Sequence, residues 1–312
     1  MLDARIADAL VRSGKRIVVT GAGGWLGLAT LDSLAAALKA DFKSRVAAFG
    51  SSARTLHLLD GTQVQQRPLA DLAHLEPCST WVLHFAFLTK DRAETMDEAA
   101  YRAANEQIRR TVLAALDPIG AQAVFVASSG AAYKAQDAAA NHAMRLYGTL
   151  KVEDEDAFAA WAEASHRRAV IARVFNVTGP YINKHQAYAL ASFILEGMAG
   201  RPISVRASRP VIRGYVAIDE LMSLAFAEMA DAQGVVRFDT GGDPLELEGV
   251  ANIVASQFAG VSVERAQIVE NGADVYHGDP EAYRRALAKH GLTPQSLSQQ
   301  VGKTIDYLQG GQ

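Results

Sequence analysis

The stretch "RIVVTGAGGWLGLATLDSL" (16–34) places Gly21, Gly24 and Gly27 directly after a short β-branched run and at the mouth of a helix-period segment. Glycine at such a junction lets the chain turn tightly and lets backbone N–H groups approach a pyrophosphate at the positive end of the helix. The spacing is G-x-x-G-x-x-G, not the G-x-G-x-x-G of the standard dinucleotide fingerprint, so the loop alone also suits a purely structural turn.

What surrounds the loop favours the nucleotide reading. Further β-rich runs, "RVAAF" (45–49), "WVLHFAF" (81–87), "AVFVASS" (123–129) and "AVIARVFNV" (169–177), alternate with helix-suited segments around 26–40, 97–116 and 141–164. Strand and helix in alternation predict an α/β fold with a doubly wound parallel sheet covered on both faces. After residue 178 the pattern loosens, with "GPYINKHQAY" (179–188) and "GRPISVRASRPVIRG" (200–214) supplying Pro, Gly and charge between shorter elements. "GYVAI" (214–218) and "VVRFDTG" (235–241) read as buried strands that return to the main sheet. Residues 1–178 plus 211–242 are thereby assigned to the larger domain, and 179–210 plus 243–312 to a smaller lobe.

Bulk properties narrow the class. The 312 residues are 49% hydrophobic and 21% charged, ordinary for a globular chain with a sizeable core. A net charge of −3, with no basic cluster interleaved with aromatics, leaves no footprint for nucleic acid and favours a small-molecule partner. Cys78 is the single cysteine, which excludes an intrachain disulfide and a thiolate cage. The eight histidines show no ligand spacing, so no metal site is expected. "MLDARIADAL" (1–10) carries charges where a signal peptide needs an uncharged run, and Leu2, Ile6 and Leu10 recur at helical spacing. A short surface helix, no membrane span and a cytoplasmic location are the expectations.

The standard fingerprint wants an acid at the end of the second strand for the adenosine ribose. Here that strand runs out as "VAAFGSSARTL", with Gly50, Ser51 and Ser52 in its place and Arg54 close behind. Hydroxyls and a guanidinium bind a 2′-phosphate that a carboxylate would repel, so NADP is favoured over NAD. The plainer alternative leaves Arg54 on a solvated loop.

"FVASSGAAY" (125–133) puts Ser128 and Ser129 beyond the carboxyl end of a strand, where open α/β sheets hold ligands. Tyr147 follows, with Lys151 at i+4 on the same helical face. Tyr-x-x-x-Lys by itself is common; its weight comes from its order after the glycine loop and the serines. Lowering a tyrosine pKa from near 10 by about three units takes about 4 kcal/mol, within reach of an adjacent ammonium and a nicotinamide cation together. Tyr147 then acts as acid or base toward a carbinol or carbonyl, Lys151 supports it and Ser129 holds the substrate oxygen.

Taken in order, "TGAGGWLG" (20–27), "HFAF" (84–87), "ASSGAAY" (127–133), "YGTLK" (147–151), "ARVFNVTGPY" (172–181), "RGYVAIDEL" (213–221) and "FDTGGDPLELEGVANIV" (238–254) resemble the extended short-chain dehydrogenase/reductase family, of the NAD(P)-dependent epimerase/dehydratase type. The resemblance covers nearly the whole chain. It implies a Rossmann domain with a small C-terminal substrate lobe, activity on nucleotide sugars, and a homodimer formed through the helices near 97–116 and 141–164. Ser129, Tyr147 and Lys151 match the family's catalytic positions. Cofactor contacts are implied for Gly21, Gly24, Trp25, Leu26 and Gly27, for Ser51, Ser52, Arg54 and Leu69, and for Phe85, Ala86 and Phe87, with Tyr147 and Lys151 reaching the nicotinamide ribose. Asn176 and Arg213 match positions that meet the substrate's phosphates, although an Arg in "RPVIRGY" equally suits a surface ion pair.

Departures from the pattern narrow the chemistry. Relatives that remove water carry an Asp-Glu pair after the strand-end Ser/Thr, because elimination needs an extra acid and base; Gly130 and Ala131 stand there instead. Neither a cysteine nor a second acid follows the serines, which also disfavours 3,5-epimerase/reductase chemistry. The segment between Tyr133 and Tyr147 is shorter than in most relatives, Pro68 replaces an Asp near the adenine, and Phe87 stands where a small side chain is usual. His84 reads as a strand-end residue, and "KVEDEDAF" (151–158) as a solvated helical face. The leading expectation is epimerisation of a sugar nucleotide through a transient ketone. The alternatives are an NADPH-dependent ketone reductase and, from another class, a dinucleotide-binding sensor without turnover.

Overall fold

The computed structural model describes residues 1–185, 188–231 and 233–310; Gln186 and Ala187 of "GPYINKHQAY" lie outside the described residues. An N-terminal helix, α1 (Ala4–Ser13), is capped by the Asp3 carboxylate and buries Leu10. The β-branched run then forms β1 (Arg16–Thr20), and the glycine loop leads into α2 (Trp25–Leu38). Six more strands follow: β2 (Val46–Gly50), β3 (Arg54–His57), β4 (Gln63–Pro68), β5 (Thr80–His84), β6 (Ala121–Ser129) and β7 (Arg168–Val174). The long helices α3 (Glu98–Leu116) and α4 (His142–Ser165) flank β6 in sequence. With β8 (Val235–Asp239) these strands make one eight-stranded sheet in the order β8-β7-β6-β5-β1-β2-β4-β3.

Pairing is parallel from β4 through β2, β1, β5 and β6 to β7, and antiparallel between β3 and β4. β1 and β5 are almost wholly buried, as expected for strands covered on both faces. Val18, Val82, Val124 and Ile171 from four adjacent strands meet Val112 and Leu116 of α3 and Phe158 of α4 in one apolar cluster. This is the Rossmann-type arrangement the alternation predicts.

The chain divides into two compact units, residues 1–174 with 222–238, and 175–221 with 239–312. The boundaries differ from the sequence reading. "AVIARVFNV" is not one strand: β7 ends at Val174, and Asn176–Thr178 starts a separate strand of the second unit. "GYVAI" does not return to the main sheet, since Tyr215–Ala217 pairs in parallel with Asn176–Thr178. Residues 211–221 and 239–242 therefore belong with the second unit; of the two expected returning strands only 235–239 joins the large sheet. Apolar content could not separate the two, because it marks Tyr215 and Val216 as buried without naming the strand they pair with. "WVLHFAF" also ends its strand at His84, leaving Phe85–Phe87 without regular secondary structure.

In the second unit, Ile203–Val205 pairs with Val263–Arg265, and Val211–Arg213 lies between Leu245–Glu246 and Asp274–Tyr276. Among the described residues no helix is long and apolar enough to cross a membrane.

Candidate active site

β1 and β5 are paired in register from Arg16–Thr80 to Thr20–His84. The chain builds outward on one side of them as β2 and β4, and on the other as β6 and β7. Open α/β sheets take ligands at such a reversal, beyond the carboxyl ends of the strands. Gly21 has φ 69°, and a Cβ there would stand 2.6 Å from the backbone nitrogen of Ala86, so the glycine loop and the segment after β5 touch through backbone. A Cβ on Gly27 would meet the carbonyl oxygen of Gly21 at 2.4 Å. Gly24 is the exposed N-cap of α2, which no side chain caps, with Trp25 and Leu26 opening the helix. A glycine-lined helix N-terminus at the switch of the sheet fits the diphosphate of a dinucleotide.

At the end of β2, Ser51, Ser52 and Arg54 are exposed. Arg54 is not loose on the surface: its Nη2 donates to the carbonyl oxygen of Gly23 at 3.2 Å, which brings a guanidinium onto the glycine loop. Gln66, which sequence reasoning missed, takes up the space a side chain at Gly50 would need, and its Nε2 donates to the carbonyl oxygen of Ser52 at 2.8 Å. It sits on β4, opposite Ala48, so only strand pairing reveals it. Leu69, half-buried, opens the turn after β4 and packs on the core.

α4 starts where the Asn141 side chain accepts from Met144 N at 2.8 Å. Its spacing puts Tyr147, Lys151, Asp154, Glu155 and Phe158 on one face. Gly148 lies so near the turn after β6 that a Cβ would stand 2.2 Å from the Ala131 carbonyl oxygen. That contact brings the Tyr147 turn of α4 against the Ser129 turn. Ser129 Oγ accepts from Ala131 N at 3.2 Å, whereas Ser128, on the other face of the strand, donates to Glu155.

Lys151 is buried. Its Nζ donates to the Ala127 carbonyl oxygen at 2.8 Å, lies 3.7 Å over the centroid of the Phe87 ring and 6.0 Å from that of Tyr147. The Phe87 and Tyr147 rings meet edge-on at 5.6 Å. Burial lowers Lys151 to about 8, against the opposing pull of Asp154 and Glu155.

The reading of "KVEDEDAF" as a solvated face is overturned, since Asp154 and Glu155 are both buried. Glu155 accepts Arg173 Nε and Nη2 at 2.9 and 2.7 Å as a bidentate pair, and the guanidinium also lies 4.5 Å from the Tyr133 ring centroid. Asp154 accepts Arg109 Nη1 from α3 at 3.3 Å. The acids go inward because the cations that meet them come from α3 and β7, which the helix's own pattern does not show. His84 is buried at the end of β5, its Nδ1 2.8 Å from Thr20 Oγ1. Burial, with the charge of Lys151, brings its pKa down to about 3, so it faces Asp154 as a neutral ring.

In the second unit, Asn176 Nδ2 donates to the carbonyl oxygens of Gly214 and Tyr276, both at 3.1 Å. Arg213 Nη2 pairs with Asp274 at 2.8 Å. Both residues are held in defined orientations by their own unit, and the surface ion pair weighed for Arg213 is present. Among the described residues no group of three His, Cys, Asp or Glu side chains is placed to hold a metal ion.

The model of the NAD dependent epimerase/dehydratase family matches residues 17–237. The chain belongs to this family and is an NAD(P)-dependent enzyme of the short-chain dehydrogenase/reductase type. No curated protein matches the chain. Among solved structures, it is similar to a UDP-N-acetylglucosamine 4-epimerase from Methanobrevibacter ruminantium in complex with UDP-N-acetylmuramic acid, at 18% identity and a TM-score of 0.73 over 96% of this chain and 99% of that one. The UDP-glucose 4-epimerase of Thermus thermophilus, in complex with NAD, aligns at 20% identity and a TM-score of 0.67 over 95% of this chain and 100% of the other. TunA, an NAD-dependent NDP-hexosamine 5,6-dehydratase involved in tunicamycin biosynthesis, aligns at 19% identity and a TM-score of 0.67 over 94% and 97%. At these identities the likeness establishes the fold.

Proposed function

We propose that the protein is an epimerase of a sugar nucleotide, working through reversible oxidation at one carbinol. The observation that carries this reading is the face of α4 that sets Tyr147 and Lys151 against the turn of Ser129, with Gly130 and Ala131 where an eliminating enzyme needs an acid and a base. NAD(P), when bound, supplies reversible hydride acceptance. The glycine loop and the α2 N-terminus would hold its diphosphate, and Phe85–Phe87 its nicotinamide side. Tyr147 takes the hydroxyl proton of the substrate at its Oη and returns it at the end of the cycle. Lys151, as an ammonium, favours the phenolate form of Tyr147. Ser129 Oγ donates to the substrate oxygen and holds it in line with the phenol.

The sugar nucleotides named for the two 4-epimerase structures support a nucleoside diphosphate sugar as substrate. Arg54 on the glycine loop, with no acid at the end of β2, supports acceptance of NADP alongside NAD. A homodimer through the outer faces of α3 and α4 is the corresponding assembly, which sedimentation equilibrium tests.

The deciding experiment incubates the purified protein, with no added cofactor, with UDP-glucose and UDP-N-acetylglucosamine and follows C4 stereochemistry by NMR. Interconversion abolished by Tyr147→Phe, with cofactor retained, supports the epimerase. Steady consumption of added NADPH with a keto-sugar, and no interconversion, would replace it with the reductase.

A further inference from the structure

We propose that Asp154 is a positioning residue that acts through Lys151: its buried carboxylate, one helical turn behind, keeps Lys151 an ammonium beside Tyr147. The proposal rests on the assignment of Tyr147 and Lys151 to the proton-handling pair.

The geometry is specific. Lys151 and Asp154 stand at i and i+3 on one face of α4, and both are buried, so water screens neither. The neutral contacts of Lys151, the Ala127 carbonyl oxygen and the Phe87 ring, supply no full charge. Burial alone drives an amine toward its neutral form, which would leave Tyr147 without its cation. The charged and titratable groups around this point are few. On α4 itself they are Tyr147, Asp154 and Glu155; β5 contributes His84, α3 contributes Arg109 and Tyr101, and β7 contributes Arg173.

Glu155 is committed elsewhere, to both nitrogens of Arg173 and to Ser128. His84 Nε2 stands 4.0 Å from Asp154 Oδ2 and makes no hydrogen bond, and the ring is neutral, so His84 does not neutralise the carboxylate. Arg109 Nη1 pairs with Asp154 at 3.3 Å and with Glu153 at 3.2 Å, so one guanidinium is shared between two acids and does not by itself balance both. Asp154 in turn is pushed up to about 6 by burial, so its charge is present at neutral pH and lost in mild acid.

The test reads the ammonium directly. The full chain is labelled with 13C at lysine Cε, the Lys151 signal is assigned with Lys151→Arg, and its pKa is followed by NMR in the parent and in Asp154→Asn. The expected result is a fall of about one unit or more in the Lys151 pKa. The alkaline limb of the kcat/KM profile should move down in pH by the same amount, because Lys151 then loses its proton earlier. Glu153→Gln, which removes a half-exposed acid on the same arginine, should leave the Lys151 pKa in place. An unchanged Lys151 pKa in Asp154→Asn, or an equal fall in Glu153→Gln, overturns the proposal.

Should Asp154→Asn fail to fold, the parent protein answers alone. Its Lys151 signal should show a smaller step near pH 6, where Asp154 titrates, and a single step would refute the coupling. Neither spectrum depends on turnover, so failure of the epimerase reading and failure of the Asp154 proposal give separate results.

Discussion

The ammonium of Lys151 lies 3.7 Å above the centroid of the Phe87 ring. A desolvated cation over an aromatic face gains about 2 kcal/mol, and the same ring touches Tyr147 edge-on, so Phe87 links the two members of the pair. Phe87→Leu keeps the apolar volume and removes the ring. It should lower kcat by roughly three- to thirtyfold, given that about 1.4 kcal/mol corresponds to a factor of ten. Steady-state kinetics beside a thermal melt check this, and a variant as active as the parent would reduce Phe87 to packing.

Gly148 is where α4 comes nearest to the Ser129 turn. Gly148→Ala puts a methyl 2.2 Å from the Ala131 carbonyl oxygen, an atom of the backbone. Helix and turn must part, at a cost of about 1–3 kcal/mol, and Tyr147 moves with the helix. A lower urea midpoint and a larger loss of turnover are expected. Gly302→Ala is the control, since nothing lies within 4 Å of that position and alanine is favoured over glycine in a helix; its midpoint should stay or rise.

Arg54 reaches the glycine loop through the Gly23 carbonyl oxygen. Arg54→Ala should weaken NADP binding by about tenfold or more, as loss of a charge-assisted contact of about 1.5–3 kcal/mol implies, and weaken NAD binding much less. Calorimetric titration with the two dinucleotides decides it; equal losses for both would assign Arg54 to the diphosphate instead.

Glu220, in the second unit, accepts Gln295 N through Oε2, and burial pushes its carboxyl up to about 7. A folded-state pKa above the unfolded value means that its contribution is favourable in acid and is lost as pH rises from about 4.5 through 7. Glu220→Gln keeps an acceptor for Gln295 and removes the charge. Relative to the parent it should gain stability between about pH 5 and pH 8, by up to about 3 kcal/mol. Urea unfolding at both pH values measures the difference, and a parallel pH dependence in the two proteins would show that Glu220 does not carry it.

The legibility of the candidate site followed the range of the interactions that build it. Gly21, Gly24 and Gly27 were readable because a strand-to-helix turn is local chemistry. Tyr147 and Lys151 were readable because helical spacing fixes which side chains share a face. The same spacing was available for Asp154 and Glu155, yet their inward direction was not, because a charge run faces water unless cations elsewhere in the fold meet it. Those cations, Arg109 and Arg173, lie on α3 and β7. Gln66 escaped notice for a similar reason, since it reaches Gly50 and the Ser52 carbonyl oxygen only through the pairing of β2 with β4.

By itself, then, the sequence determined the alternating α/β order, the glycine-rich strand-to-helix turn, the candidate set of Ser129, Tyr147 and Lys151 and the family, all of which rest on local periodicity and on motif order. Tertiary structure alone decided that the strand at 215–217 pairs with 176–178 and not with the large sheet. It alone turned two acids of a charged helix into buried partners of cations, and set the Phe87 ring beneath Lys151. Strand partners and buried charge pairs are chosen by contacts between residues far apart in the chain, and no local pattern encodes which of several equally apolar or equally charged partners will be met.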